Sequence, residues 1–147
     1  MFARIKNNRG FTLIEVLLVV AIIAILAGIV ILAVNPNKQL GDTRNTQRRA
    51  DVNTILNAVY QYTIDQHGVP GVYPSSSTDI CSTGFSSCPY VDLHVLTDNG
   101  KYLVALPKDP QAGDNNDTHY QISEDANGRI TVSAPYAEQG QTISATR

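Results

Sequence analysis

From Val16 to Val34 the chain carries no charged residue. The apolar run opens at Leu13, with one carboxylate, Glu15, near its start, and counted from there it is 22 residues long. At about 1.5 Å per residue such a helix measures about 33 Å, enough to cross a hydrocarbon core of about 30 Å. A helix apolar on every face needs lipid or other apolar helices around it. A cleavable secretory signal is a poor fit. Its apolar region would be about 7–15 residues and would end in an Ala-x-Ala-like site. Here the run is longer, and Leu32-Ala33-Val34-Asn35-Pro36 is a poor cleavage site. Glu15 stands out, because a carboxylate near the head of a membrane helix costs up to a few kcal/mol, less toward the interface. Either it snorkels to water or it has a function there.

The residues around Glu15 bear on that choice. Arg9-Gly10-Phe11-Thr12-Leu13-Ile14-Glu15-Val16 closely resembles the processing site of type IV prepilins and type II secretion pseudopilins. The resemblance implies a leader of residues 1–10, cut after Gly10 by a membrane-embedded prepilin peptidase that then methylates the new amino terminus, Phe11. It implies a transmembrane and filament-core helix over 11–34. An amphipathic helix and a C-terminal globular pilin-like domain would follow over 35–147. The implied partners are other copies of the chain or related pilins in a helical polymer, the peptidase/methyltransferase, the pilus assembly machinery, and membrane lipid before assembly. The precursor would cross the inner membrane once, leader inside, and end in a cell-surface or periplasmic filament. Cleavage would leave a cationic amine on Phe11, four positions before Glu15 and on the same helix face. In a bundle of such helices, Glu15 of one chain could neutralise the Phe11 amine of a neighbour, a pair little screened by salt.

Charge is unevenly spread. Arg4, Lys6 and Arg9 precede the apolar run without an acid; the stretch from Asn35 to Ala50 is +3; Asp51 onward carries 4 basic and 11 acidic residues. Basic residues flank the span on both sides, so charge does not settle its orientation. The acidic C-terminal part offers no clustered Lys and Arg surface for phosphates, and no specific nucleic-acid partner is inferred.

Asn35-Pro36-Asn37 interrupts the apolar pattern, and Gly41 follows; a kink or local unwinding is expected between Asn35 and Gly41. Helical spacing resumes from Asp42 to Gln66, with an apolar stripe through Ala50, Val52, Ile55, Leu56, Val59, Tyr60, Thr63 and Ile64 that suits packing on a sheet. Arg44, Arg48 and Arg49 suit either lipid head groups or a solvated face on one reading, or contacts to a neighbouring subunit on the other. His67-Gly68-Val69-Pro70 ends the helix. Residues 71–89 read as a loop that holds Cys81 and Cys88, the two cysteines of the chain. An even count in a domain outside the membrane suggests a disulfide between them.

Val91 to Leu96 fits a short helix or a strand, and Tyr102 to Leu106 reads as strand or extended chain. Leu106-Pro107-Lys108-Asp109-Pro110 resembles the Leu-Pro-x-Asp-Pro segment of pseudopilins and short pilins, with Gln111 where that family usually has tryptophan. Tyr120–Glu124 and Arg129–Ser133 alternate apolar and polar around Asp125-Ala126-Asn127-Gly128, a hairpin to which at least one more strand should add. Major pseudopilins carry a Gly- and Asp-rich calcium loop near Ala134-Pro135-Tyr136-Ala137-Glu138, which does not match it.

The expected fold is α+β and type IV pilin-like: a long N-terminal helix, membrane-spanning then amphipathic, packed on a small antiparallel sheet. His67, His94 and His119 sit in separate segments with no nucleophile motif, so no enzyme, metal or cofactor is expected. The first functional reading is a type IV pilus or pilus-like filament subunit. Alternatives are a secretion pseudopilin or competence pilin, and, from another class, a monomeric membrane-anchored binding domain.

Overall fold

The computed structural model describes residues 10–69, 72–82, 89–113 and 116–147. The chain divides into two units, the boundary falling between Asn37 and Lys38. In the first, helix α1 spans Leu13–Ala33, and none of its residues is buried. It is the one helix among the described residues long and apolar enough to cross a membrane. Val34 leaves the helix with φ −95° and ψ 92°. The next residue, Asn35, precedes a proline, which disfavours helical backbone.

Helix α2 spans Pro36–Gln66. Here the expectation of a weak stretch from Asn35 to Gly41 is corrected: the break is confined to Val34 and Asn35, and α2 runs unbroken through Gly41. Pro36 starts a helix instead of bending one, because at the first helical position its missing N–H has no partner to lose. Gly41 is buried, and a Cβ there would lie 2.6 Å from Gln139 Nε2. That amide donates to the Lys38 carbonyl at 2.6 Å. The glycine makes room for a side chain; it does not loosen the helix. Gly41→Ala would gain about 1 kcal/mol of helix propensity. It would displace the tip of a flexible side chain and lose one exposed hydrogen bond, of about 1 kcal/mol. Thermal melts of the variant should therefore stay close to wild type; a collapse of stability would mean the helix needs glycine for its backbone.

His67 ends α2 with a left-handed backbone (φ 55°), one position before the glycine expected to do so. Four antiparallel strands form a sheet in chain order: β1 Thr78–Cys81, β2 Asp117–Glu124, β3 Ile130–Ser133 and β4 Ser144–Thr146. The hairpin is β2–β3, with Ile122 opposite Val132, closed by a turn in which Asp125 Oδ1 accepts from the amides of Asn127 and Arg129. Two further strands join it. β1 lies inside the segment read as loop, where Thr-Asp-Ile-Cys is too short to show a period. β4 lies in the polar tail. Between Asp79↔Gln121 and Cys81↔Asp117 the register slips, so β2 is bulged there, and His119 inside the bulge has φ 62°.

Val91 bridges Ile80, and two 3₁₀ turns follow within His94–Gly100, separated by non-helical backbone at Asp98 and Asn99. Tyr102–Leu106 joins no strand. Cys81 is disulfide-bonded, and Cys88 lies outside the described residues.

The core joins Val52, Ile55, Leu56, Ala58 and Val59 of α2 to Ile80 of β1, Tyr120 and Ile122 of β2, and Ile130 and Val132 of β3. Alternate residues of β2 and β3 face inward, as period-two patterning requires. Ile64, expected in the stripe, is exposed.

Candidate functional site

Two constellations stand out. The first is the start of α1. Gly10 and Phe11 are exposed and precede the helix. Thr12 is its N-cap, with Oγ1 accepting from the Glu15 amide at 3.3 Å. Thr12-Leu13-Ile14-Glu15 is thus the Thr-x-x-Glu pattern of a capping box, a signal the sequence reading passed over. It gives Glu15 a local role besides any pairing: a carboxylate in the first turn faces the positive end of the helix dipole. Among the described residues nothing lies within 4 Å of a Cβ built on Gly10, so packing against them does not demand glycine there. Phe11, Glu15, Val16, Val19 and Val20 line a shallow groove along one side of the helix. Their spacing puts Phe11 and Glu15 on the same face.

The second was missed by sequence reading. Arg48 is fully buried, in contact with the equally buried carboxylate of Asp109. Its Nε donates to Asp109 Oδ2 at 2.5 Å and its Nη2 to Oδ1 at 3.0 Å, a bidentate fork. Nη2 also donates to Gln111 Oε1 at 2.7 Å. Nη1 donates to Asn45 Oδ1 and to Glu138 Oε2, both at 3.0 Å. All five guanidinium donors are therefore used. Arg44 forks onto the same Glu138 carboxylate through Nε and Nη2, both at 2.6 Å. The Asn45 side chain donates to the Glu138 carbonyl and accepts from its amide, each at 2.9 Å. Gln111, in the place of the usual tryptophan, thus serves as a ligand of Arg48.

Arg44 and Arg48 therefore turn inward, and both readings of the basic cluster are corrected for them: they bind their own domain. Arg49 bonds Gln141 in the same loop. The sequence did carry a signal. Asn45 and Arg48 continue the stripe of Val52, Ile55 and Val59 toward the helix start, at spacings of three and four.

These ion pairs set a pH response. The hydrogen bonds from Arg44, then Arg48, hold the Glu138 carboxyl down at about 2, well below its ordinary value. A depressed carboxylate stabilises the fold above its unfolded pKa and loses that contribution as pH falls through the folded one. Burial pushes the Asp51 carboxyl up, although Tyr120 Oη donates to it at 2.7 Å. Its sign is opposite, favouring the fold on acidification. Acid melts should show a Glu138 contribution intact down to about pH 4.5 and fading toward pH 2. Glu138→Gln should flatten that limb; an unchanged acid limb in the variant would refute the assignment.

A model of the prokaryotic N-terminal methylation motif matches residues 5–31. The chain is 32% identical over 111 residues to the type II secretion system core protein G of Vibrio cholerae, covering 76% of this chain and 70% of that protein. The protein of the same name from Escherichia coli K12 is 30% identical over 109 residues, 74% and 70% of the two chains. That of Klebsiella pneumoniae is 27% identical over 129 residues, 86% and 83%. No solved structure matches the chain. An apolar helix with a methylation motif, a pilin-like α+β domain and similarity across most of these relatives lead to one conclusion: the chain belongs to the type IV pilin and pseudopilin family, as a filament subunit.

Proposed function

We propose that this chain is a subunit of a type II secretion pseudopilus. It enters the cytoplasmic membrane as a prepilin with its leader inside, is cut after Gly10, methylated on Phe11 and drawn into a filament through α1. The observation that carries the secretion branch is similarity over 70–83% of the length of relatives named for that system. A type IV surface pilus is the second reading, since the processing motif serves both branches. Intact-mass measurement of the membrane and filament forms tests maturation, and secretion assays set beside microscopy of sheared surface filaments separate the branches. A mature subunit that still begins at Met1 in cells with an active peptidase would sink the proposal.

The scissile bond offers a cleaner test. A Cβ on Gly10 meets nothing among the described residues. A need for glycine there would come from the peptidase. Gly10→Ala should fold and insert normally yet accumulate at precursor length. Efficient processing of the variant would show that glycine is not what the peptidase reads.

In the assembled filament, Glu15 pairs with the methylated amine of Phe11 on a neighbouring copy. The capping geometry supports this, because it starts the helix at Leu13 and so holds Phe11 one residue before the cap and Glu15 in the first turn. Two cationic features, the amine and the helix N-terminus, then converge near one carboxylate.

A further inference from the structure

Major pseudopilins carry a Gly- and Asp-rich calcium loop near the position of residues 134–138, and this sequence does not match it. A calcium ion takes six to eight oxygen ligands, largely carboxylates and carbonyls. The segment 134–141 holds one carboxylate, Glu138, and no second acid. Both Glu138 oxygens already accept from guanidinium groups, Oε1 from Arg44 and Oε2 from Arg44 and Arg48. Its backbone amide and carbonyl are taken by Asn45. The Asp109 carboxylate is likewise forked by Arg48, and His119 stacks on Tyr136 with ring centroids 4.6 Å apart. Among the described residues no group of three or more His, Cys, Asp and Glu could hold a metal. The donor set does not fit a cation.

We infer that the chain supplies the positive charge itself: Arg44 and Arg48 close the 134–141 loop onto α2 in place of a divalent ion. The two guanidinium groups bring two positive charges, matched by Glu138 and Asp109. The loop is held at three further points. Gln139 donates to the Lys38 carbonyl, Arg49 bonds Gln141, and Ala134 donates its amide to the Ile143 carbonyl at 2.9 Å. Turns inside the loop use left-handed backbone at Gln139 (φ 59°) and Gly140 (φ 67°), so its shape is set without a metal-centred ring of carbonyls. An inward-turned arginine pair needs no ion from the surroundings. Folding of this domain is then independent of external calcium and of chelators.

The test uses the full-length protein purified in detergent. Thermal unfolding is followed with calcium chloride, with a chelator, and with neither. The three midpoints should coincide. A saturable rise with calcium, reversed by the chelator, would overturn the inference whatever the variants do. In the second arm, hydrogen exchange of the 137–141 amides is compared in wild type, Arg44→Gln and Glu138→Gln. Loss of a charge-assisted bond should speed exchange on the order of tenfold, and added calcium should not restore it. Wild-type protection in both variants would show that the arginines do not hold the loop, and restoration by calcium would show that a cation does.

Discussion

Glu15→Ala subunits should be inserted, cleaved and folded, yet filaments should be few or absent. The substitution keeps the backbone amide that donates to Thr12 Oγ1, so α1 still starts at its cap. In the structure Glu15 is exposed at the head of the helix; on the proposed reading water reaches it there before assembly, and its loss should be tolerated. Inside a filament core, removing it would strand the neighbour's Phe11 amine in an apolar setting. Breaking a buried pair by deleting one partner costs roughly 3–5 kcal/mol. Per contact, at about 1.4 kcal/mol per tenfold, that shifts assembly by roughly two to four powers of ten. Mature-length subunit in the membrane is the internal control, since on the proposed maturation the peptidase reads Gly10-Phe11, which the variant keeps. Thr12→Val separates cap from pair: it should weaken the helix start by about 1 kcal/mol and leave assembly largely intact. Wild-type filament numbers from cleaved Glu15→Ala would reduce Glu15 to a capping residue.

The second large effect lies in the globular part. Arg48→Met would fill most of the side-chain volume but leave Asp109 buried without its partner. The expected loss is roughly 3–5 kcal/mol, or roughly 10–25 °C in the melting midpoint of a domain this size. Arg48→Lys should fare little better, because an ammonium has three donors and no planar fork to serve Asp109, Gln111 and Glu138 together. Arg48→Met with Asp109→Leu should regain much of the loss, since an apolar pair needs no counter-charge. Melts of the purified variants decide. A near-neutral Arg48→Met would mean that water enters the site and solvates Asp109.

These two sites differ in how readable they were. The Gly10–Glu15 motif is contiguous, so the sequence displays it whole. The amphipathic stripe and the β2–β3 hairpin were legible because burial imposes periods of 3.6 and 2. β1 and β4 were not, since strands of four and three residues that no turn motif ties to a neighbouring alternating run carry too few positions to establish a period. The arginine site was hidden for another reason. Its members come from α2, the turn at Asp109 and the loop at Glu138, and only the fold brings them together. Arg48 occupies a stripe position, but a charged residue there reads as an end of the stripe until its partners are known. Gly41 misled because glycine in a helix has two meanings, a loose backbone or a close approach, and only the position of Gln139 distinguishes them.

The bonds to Arg48 carry a consequence for the order of folding. Those to Asp109 and Glu138 span 61 and 90 positions of chain. Closing such loops costs entropy before the contacts repay it. A guanidinium dried before both carboxylates arrive would be an unpaired buried charge, so the site closes late, around all its partners together. The hypothesis is that α2 and the β2–β3 hairpin dock first, with Arg48 still wet, and that the 134–141 loop then seals the domain. Contacts formed after the transition state slow unfolding and leave the folding rate nearly alone. In kinetic traces of Arg48→Met the unfolding rate should therefore carry most of the change, and a slowed folding rate instead would place the arginine in the nucleus. On this account the ion pairs act as a latch, setting how long a folded subunit lasts and contributing little to how fast it forms.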